Sequence, residues 1–294
     1  MTATTATFSD YSALTKPRLS MLSVASSVVG YVAARHGFSW GEFFHVFAGT
    51  ALCAGGVASL NQWMEAETDA AMSRTHDRPI PSGKVATGSA FVLGWVLVIA
   101  GLIDLFVAVN GWSALFALAT VIAYLGFYTP SKKRTRWSTE IGAISGALPP
   151  LVGWSAAEGG VSALGWVLFG ILFFWQIPHF MAIAWMYRGD YAAVNFPMLP
   201  VLDESGVKVA RWSLLNTFLT VGVSLVPVYL GLTGWLYGVT AGLLGLWFLY
   251  LATVFLRPDG RDKAARRLFL CTITYLPLVF AALVADRLIF FPAT

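Results

Sequence analysis

Three oxygen-bearing side chains, Asn61, Glu65 and Asp69, follow one another at intervals of four residues at the end of a long apolar run. Four residues advance an α-helix by about 400°, which is only about 40° past a full turn. The three side chains are therefore predicted to share one helix face, and we name them the acidic ladder. Mg²⁺ prefers carboxylate and amide oxygens and usually shares its coordination sphere with substrate phosphates. The ladder thus predicts a magnesium site for a phosphate-bearing substrate.

The loop after the ladder adds positive charge to this chemistry. Arg74 and Arg78 follow the ladder directly, and cations beside a carboxylate-bound metal can grip a diphosphate. Asp77 is expected either to join the metal or to pair with Arg74, and Glu67, which lies off the ladder face, is a second-rank ligand. The competing interpretation is a helix end anchored by solvated charges among lipid headgroups. The aligned face and the density of acids favour the metal site.

A second basic cluster lies further along the chain, in the segment YTPSKKRT at 128–135. Lys132, Lys133 and Arg134 have two interpretations. Basic clusters beside a membrane span often serve only topology and headgroup binding. They also suit an anionic substrate, either a diphosphate or an acceptor that carries a carboxylate.

Lys16 and Arg18 lie at the start of the first apolar run. They are interpreted either as an anchor at the membrane surface or as ligands for an anionic substrate.

His179 is an ionisable residue inside an apolar run, which makes it a functional hypothesis by default. It is expected to act as an acid or base or to contact a metal centre in the substrate. The alternative is a neutral histidine that is hydrogen-bonded between helices. The run ends in Arg188-Gly189-Asp190-Tyr191, where Asp190 is a further candidate metal ligand.

The elements that position these residues must be membrane helices. Hydrophobic residues make up 57% of the 294 residues and charged residues only 12%, and the mean hydropathy is +0.69. A soluble domain carries about 25% charged residues, so the chain is predicted to be an all-α polytopic membrane protein.

Nine apolar runs have the length of a membrane span, which is roughly 17 to 25 residues. Every lysine and arginine except Arg35 and Arg287 lies before the first run or after the second, fourth, sixth or eighth. The positive-inside rule then places the N-terminus, the ladder and the basic clusters on the cytoplasmic side. Pro149, Pro150 and Pro178 are expected to kink their helices. The predicted spans are residues 19–35, 43–62, 88–109, 112–129, 139–157, 162–186, 212–231, 233–256 and 268–290.

The N-terminal residues lack the basic and apolar regions of a signal peptide and the Arg-rich pattern of a transit peptide. We therefore expect a multi-pass protein of the bacterial cytoplasmic (inner) membrane. Cys53 and Cys271 lie inside predicted spans and are interpreted as small buried hydrophobic residues, not as a disulfide or metal ligands.

Five motifs resemble those of the UbiA-type superfamily of membrane prenyltransferases. The similarity covers most of residues 14–201, and the segments GALPP and PHF resemble the branch that acts on heme more than those that act on hydroxybenzoate or naphthoate. The motifs are TKPR at 15–18, the ladder with RTHDRPIPSG up to residue 83, YTPSKKRT at 128–135, IGAISGALPPLVGW at 141–154, and WQIPHF, RGDY and FPMLPV within 175–201.

The resemblance implies a single membrane domain over residues 1–294, with about nine helices around a central cavity; residues 1–14 are expected to form a flexible tail. It implies that the farnesyl group of farnesyl diphosphate is transferred to a vinyl group of heme b, with addition of water, to give heme O. Mg²⁺ is the implied cofactor and heme b a substrate. The implied partners are these substrates and the lipid membrane, with heme A synthase or oxidase assembly proteins as candidates and no nucleic acid.

The resemblance also implies three sets of site residues. Two residues depart from the family pattern. Glu65 stands where the family usually has Asp, and its longer carboxylate can still bind a metal ion. Val194 stands four residues after Asp190, where the second motif usually has another Asp, and this departure weakens the assignment of a second full metal site. The implied metal ligands are Asn61, Glu65, Asp69 and Asp190; the catalytic set is Asn61, Glu65, Asp69, Arg74, Arg78 and His179; the substrate-binding set is Lys16, Arg18, Lys132, Lys133, Arg134, Asp190 and Tyr191.

Three other functions stay open at this stage. One is a prenyltransferase for a quinone-precursor aromatic acid. Another is a transporter, although the polar residues cluster on one side of the membrane and not at its midplane. The third is a heme-handling scaffold without catalysis.

Overall fold

The structure, a computed structural model, describes residues 6–34 and 38–291. Within these ranges the chain forms helices and connecting turns, and no strand. Short helices at Phe8–Leu14, Ala66–Ala71, Arg188–Ala193 and Leu199–Leu202 accompany the long ones. The long helices are α1 (Pro17–Ala34), α2 (Trp40–Met64), α3 (Thr87–Ala108), α4 (Gly111–Ser131), α5 (Ser138–Ala147), α6 (Pro149–Glu158), α7 (Ala163–Met186), α8 (Val207–Tyr229), α9 (Trp235–Phe255) and α10 (Arg261–Phe290).

Seven of the described helices are individually long and apolar enough to cross a membrane, namely α2, α3, α4, α7, α8, α9 and α10. The other two predicted spans correspond to α1 and to the consecutive helices α5 and α6. Helices α5 and α6 have 10 residues each, so only together do they reach the length of a span. The predicted all-α multi-pass membrane protein is confirmed. The count of nine spans and the cytoplasmic N-terminus stay predictions.

The proline pair Pro149-Pro150 separates α5 from α6. Leu148 lies between the two helices and keeps helical dihedral angles, but a proline ring clashes with the carbonyl group one turn earlier and offers no N–H group. The predicted span therefore divides at this pair into two consecutive helices. Pro178, by contrast, lies inside α7 without interrupting it.

At glycines, neighbouring helices pack so closely that their backbones are in contact. A Cβ atom on Gly30 of α1 would overlap the carbonyl oxygen of Pro150 in α6, and one on Gly153 would overlap that of Ser27. Small residues permit this close packing between membrane helices. Cys53 and Cys271 are free and buried, as predicted.

The expected flexible tail over residues 1–14 is wrong for its second half. Residues Phe8–Leu14 form a helix because Thr7 and Asp10 make a reciprocal capping box at its start. Leu14 is fully buried against the loop that follows the ladder. Residues 1–5 lie outside the described ranges.

The alternating direction of the helices brings the predicted functional segments to one end of the bundle. The ladder lies at the end of α2, Lys132 follows α4 and Asp190 follows α7. Hydrogen bonds join the first two segments, and others join the ladder loop to the third. We call this end of the molecule the ladder side.

Candidate active site

The acidic ladder keeps its helical spacing although α2 ends within it. The backbone N–H of Glu65 donates to the carbonyl oxygen of Asn61 at 3.0 Å, and that of Asp69 donates to Glu65 at 2.7 Å. The helical repeat therefore continues into the short helix Ala66–Ala71. All three residues are buried, with exposed fractions of 1%, 7% and 3%. The side chains of Asn61 and Glu65 are hydrogen-bonded to each other, and Asp69 follows one backbone turn later.

Each ladder carboxylate has a cationic partner within the protein. The Lys132 ammonium donates to both carboxylate oxygens of Glu65, at 2.8 and 3.1 Å. The Arg78 guanidinium donates to Asp69 at 2.6 Å. Hydrogen bonds between charged groups of this length are among the stronger polar contacts in proteins. The negative charge of the ladder is thus compensated by two basic residues from different segments.

Asn61 links the ladder to the start of α1 and the end of α4. Its carbonyl oxygen accepts a hydrogen bond of 3.1 Å from the Lys16 ammonium. Its amide nitrogen donates to Glu65 at 3.0 Å and to the Thr129 hydroxyl at 3.2 Å. The amide therefore holds three segments in fixed register around the two carboxylates.

Lys16 has an unusual backbone and an unusual charge environment. Its φ angle is +45°, which is uncommon for a residue other than glycine, and such strain tends to cluster at functional sites. Burial lowers the pKa of Lys16 to about 7, and the nearby cations Arg78 and Lys132 add to this shift. Lys16 can therefore change its charge near neutral pH.

Lys132 has the opposite electrostatic balance. Burial alone would lower its pKa, but Tyr128 and Glu65 favour the charged form, so that the pKa is raised. The Lys132 ammonium also lies 4.6 Å from the centre of the Tyr128 ring, a distance at which a cation is attracted to an aromatic face. Lys132 is therefore a permanent cation beside the ladder.

The loop after α7 lies against the loop after the ladder. The Ser73 hydroxyl donates to Asp190 at 3.0 Å, and the Arg74 guanidinium donates to the Tyr191 hydroxyl at 3.4 Å. The same guanidinium lies 5.6 Å and 5.9 Å from the ring centres of Tyr187 and Tyr191. Asp190 and Tyr191 thus reach the ladder loop, although the side chain of Asp190 bonds to Ser73 and not to the ladder itself.

Several basic residues predicted for the site stay at the protein surface. Arg18, Lys133 and Arg134 are exposed, and no ion pair of theirs is found in the described part of the chain. The turn that begins after Ser131 points successive side chains in different directions, so only Lys132 reaches the ladder. Asp77 pairs with His76 at 3.2 Å and is 90% exposed, so neither alternative predicted for Asp77 is what the structure shows.

The His179 side chain lies between its own helix, α7, and α10, apart from the ladder. Its Nδ1 atom is 2.7 Å from the Thr272 hydroxyl of α10. Its ring stacks on Trp175 at a centroid distance of 4.8 Å and lies 5.2 Å from Phe269. This is the interhelical hydrogen bond that was the alternative to a catalytic role.

An apolar cavity of about 160 Å³ begins beside the ladder, between α1, α2, α4 and α5–α6. Lys16 and Tyr124 line its ladder end, and Thr50 and Val152 line its far end. Thr50 precedes Asn61 by eleven residues in α2, so at 1.5 Å per residue the cavity reaches about 16 Å below the ladder. Lys16 belongs both to the ladder contacts and to the cavity wall.

Some residues that hold the site in place were not predicted from the sequence. Gln62, the neighbour of Asn61, donates from its amide to the Leu14 carbonyl oxygen at 2.9 Å and so fixes the segment that carries Lys16. Thr129 and Tyr128 lie within YTPSKKRT, a motif whose sequence predicts site roles for its cations alone. The role of Gln62 could have been predicted from its amide group, because a polar side chain at the buried end of an apolar run needs a hydrogen-bond partner.

The donor types of the ladder suit a hard cation such as Mg²⁺. No group of three or more His, Cys, Asp or Glu side chains in residues 6–34 and 38–291 is arranged around a metal position. The ladder carboxylates are engaged by Lys132 and Arg78 instead. A metal ion bound here would therefore take the place of one positive charge beside each carboxylate and release the basic residues toward a bound anion.

The fold is shared with solved structures of low sequence identity. A structure reported for digeranylgeranylglyceryl phosphate synthase matches with a TM-score of 0.78 at 17% identity, over 95% of this chain and 97% of that one. A UbiA homolog from Archaeoglobus fulgidus, bound to GPP and Mg²⁺, matches with a TM-score of 0.65 at 14% identity, over 93% and 99% of the two chains.

Sequence relatives are much closer. A protein named protoheme IX farnesyltransferase from Opitutus terrae is 61% identical over 97% of both chains. One of the same name from Solibacter usitatus is 44% identical over 95% of this chain and 98% of its own. The model of the UbiA prenyltransferase family matches residues 23–273. On these similarities the chain belongs to the UbiA prenyltransferase family.

Proposed function

We propose that the protein transfers the farnesyl group of farnesyl diphosphate to a vinyl group of heme b, with addition of water, to give heme O, a step of heme A biosynthesis. One observation carries the reaction type: Lys16 joins the charged ladder to the apolar cavity. A site for an anionic head is thus continuous with a slot for a long apolar chain. The choice of farnesyl and heme b rests on the names of the relatives.

The reaction needs Mg²⁺ in this proposal, held by Asn61, Glu65 and Asp69 with Asp190. Two observations support it: the ladder offers the oxygen ligands that Mg²⁺ prefers, and a UbiA homolog of the same fold has been solved with Mg²⁺ and GPP. The bound ion would neutralise charge on the leaving diphosphate. Lys132 and Arg78, which pair with the ladder carboxylates in the protein alone, would then be available to diphosphate oxygens.

The basic residues of the two loops stabilise the leaving group. As the C1–O bond of farnesyl diphosphate breaks, its electron pair stays with the diphosphate, whose growing charge meets Arg74, Arg78 and Lys132. Fixed charges aimed at the developing charge are usually the largest catalytic contribution.

The cavity keeps water away from the farnesyl cation until the heme vinyl carbon bonds to it. Water then adds to the new cation beside the porphyrin and loses a proton. The exposed Arg18, Lys133 and Arg134 are available for the heme propionates.

The protein is proposed to lie in a bacterial inner membrane as a single domain with its active site facing the cytoplasm. The distribution of Lys and Arg, which leaves only Arg35 and Arg287 on the other side, supports this orientation. Arg35 itself lies outside the described residues.

The direct test incubates the purified full chain with heme b, farnesyl diphosphate and Mg²⁺, with and without chelator, and follows the heme by mass spectrometry. We expect heme to gain one farnesyl group and one water in a chelator-sensitive reaction. Asp69→Asn should lower the rate by about 100-fold or more, the scale of losing a charge-stabilising group. Glu67→Gln is the matched control, because Glu67 is a nearby acid that is exposed and off the ladder face.

The other outcomes would replace the proposal. Unmodified heme beside a prenylated hydroxybenzoate or naphthoate would assign a quinone-precursor acceptor. Substrate flux into vesicles without covalent change would indicate a transporter, and tight heme binding without turnover would indicate a scaffold.

A further inference from the structure

A second apolar recess lies on the outside of the helix bundle, far along the chain from the ladder. It is a groove of about 440 Å³ between the ladder-side ends of α8 and α9. Five apolar side chains and one arginine line it: Arg211, Leu214, Leu215, Phe218, Leu249 and Leu256. None of these residues lines the cavity beside the ladder. The groove is therefore a separate feature with its own chemistry.

Glycines let α8 and α9 approach closely in the halves away from the ladder side. A Cβ atom on Gly245 would lie 2.8 Å from a methyl group of Val221, and one on Gly238 would lie 3.2 Å from a methyl group of Val228. Toward the ladder side the facing residues are leucines and Phe218. Larger side chains therefore line the groove, and all of the lining residues except Leu256 lie within α8 and α9.

The walls of the groove include exposed apolar side chains. Leu215 is 46% exposed and Phe218 is 63% exposed. At the ladder-side rim, Arg211 is exposed together with Lys208 and Arg257. No ion pair joins any of these three cations to a carboxylate in the described part of the chain. The rim thus presents three exposed cations, none held in an ion pair with a described residue, beside an apolar slot.

The exposed cations and the apolar groove together indicate which class of ligand can bind. An anionic head with an attached apolar chain would satisfy both parts, whereas a soluble anion would leave the leucines uncovered. Because the groove opens to the outside of the bundle and shares no residue with the cavity, a substrate on its way to the ladder is not favoured. Cations at the end of a membrane helix attract anionic lipid headgroups.

We propose that the groove between α8 and α9 binds one anionic phospholipid. Its phosphate lies on Arg211 with Lys208 and Arg257 nearby, and one acyl chain lies along Leu214, Leu215 and Phe218. The site is independent of the proposed farnesyl transfer. Its role is to hold one lipid of the surrounding membrane.

Native mass spectrometry of the full chain in detergent tests this site, with phosphatidylglycerol and phosphatidylcholine of identical acyl chains as probes. We expect one phosphatidylglycerol to be retained preferentially. Arg211→Gln should weaken its binding by about fivefold, the effect of one cation near a charged headgroup. Lys84→Gln, the same change of charge at an exposed residue elsewhere on the ladder side, should leave binding unchanged.

A second pair of variants tests the apolar half of the site. Leu215→Trp fills the groove and keeps the charges, so it should displace both lipids; Phe218→Ala shortens an exposed wall and should weaken both. Unchanged phosphatidylglycerol binding in both variants would reduce the site to surface charge and overturn the proposal. Competition by millimolar inorganic phosphate would assign a free-anion site, and a dimer lost in Leu215→Trp would assign the groove to a second copy of the chain.

Discussion

At the scale of single residues, the site consists of opposite charges that are already paired inside the protein. Glu65 and Lys132 are both largely buried, with side-chain exposures of 9% and 17%. A buried ion pair contributes little net stability, but removal of one partner leaves an uncompensated charge in a poorly solvated place. This asymmetry makes the pair testable.

Glu65→Gln is expected to destabilise the protein by about 3 kcal/mol, because it leaves the Lys132 ammonium buried without its counter-charge. Glu65→Gln combined with Lys132→Met should recover most of that loss. Denaturant unfolding of the two single variants and the double variant forms a double-mutant cycle. Additive losses would show that the two side chains do not interact.

His179→Ala is expected to lower stability by about 2 kcal/mol, the scale of a lost hydrogen bond plus lost packing, and to leave the rate of farnesyl transfer within about twofold. The reason is that its side chain contacts Thr272 and aromatic rings, and no contact with the ladder occurs among the described residues. Thr272→Val removes the same hydrogen bond from the other side and should behave alike. Loss of transfer in His179→Ala at an unchanged melting temperature would give His179 a direct role.

The ladder could be predicted from the sequence because a four-residue spacing has a fixed meaning on a helix. The partners of the ladder could not. Lys132, Lys133 and Arg134 are adjacent and chemically similar, yet only Lys132 reaches Glu65. Which of the three does so depends on the turn after α4, and no spacing rule describes that turn.

At the scale of elements, the contact of α1 with α6 sets the position of Lys16 and of the cavity wall. Helix α1 begins directly after Lys16, and its backbone touches α6 at Gly30 and Gly153. The close approach leaves no space for a side chain at either position. A change there should disturb both stability and the site.

Gly153→Ala is expected to lower stability by about 1–3 kcal/mol, the usual cost of overpacking, and to slow farnesyl transfer, because the added methyl group meets the backbone of Ser27. Gly222→Ala in α8 is the matched control, since a methyl group added there would meet nothing within 4 Å. The test is to measure the melting temperature and the transfer rate of both variants. Equal behaviour of the two would contradict the close packing of α1 on α6.

Hydropathy predicted the existence of the membrane helices more accurately than the residues at which they begin. Helices α8 and α10 start at Val207 and Arg261, several residues before the predicted spans at 212 and 268. Their first turns carry charged residues and extend beyond the apolar run, so a search for apolar runs omits them. The contact of Ser73 with Asp190 joins residues 117 positions apart, and no local pattern encodes such a pairing.

At the scale of the whole molecule, the charge asymmetry predicts that the ladder side faces the cytoplasm. Cysteines introduced at the two ends test it: Lys84→Cys on the ladder side and Ser162→Cys at the other end, both at exposed positions. In intact cells a membrane-impermeant maleimide should label only Ser162→Cys. The native Cys53 and Cys271 are buried and provide a low background. Labelling of Lys84→Cys alone would invert the orientation.

The charge pairing around the ladder also has a consequence for whether the protein folds before or after it binds a metal ion. Both ladder carboxylates already have counterions supplied by the chain itself, Lys132 for Glu65 and Arg78 for Asp69. Folding into the membrane therefore need not wait for an ion from the cell, unlike small domains that are unfolded without their metal. A newly inserted chain can reach its final shape first and acquire its catalytic competence later.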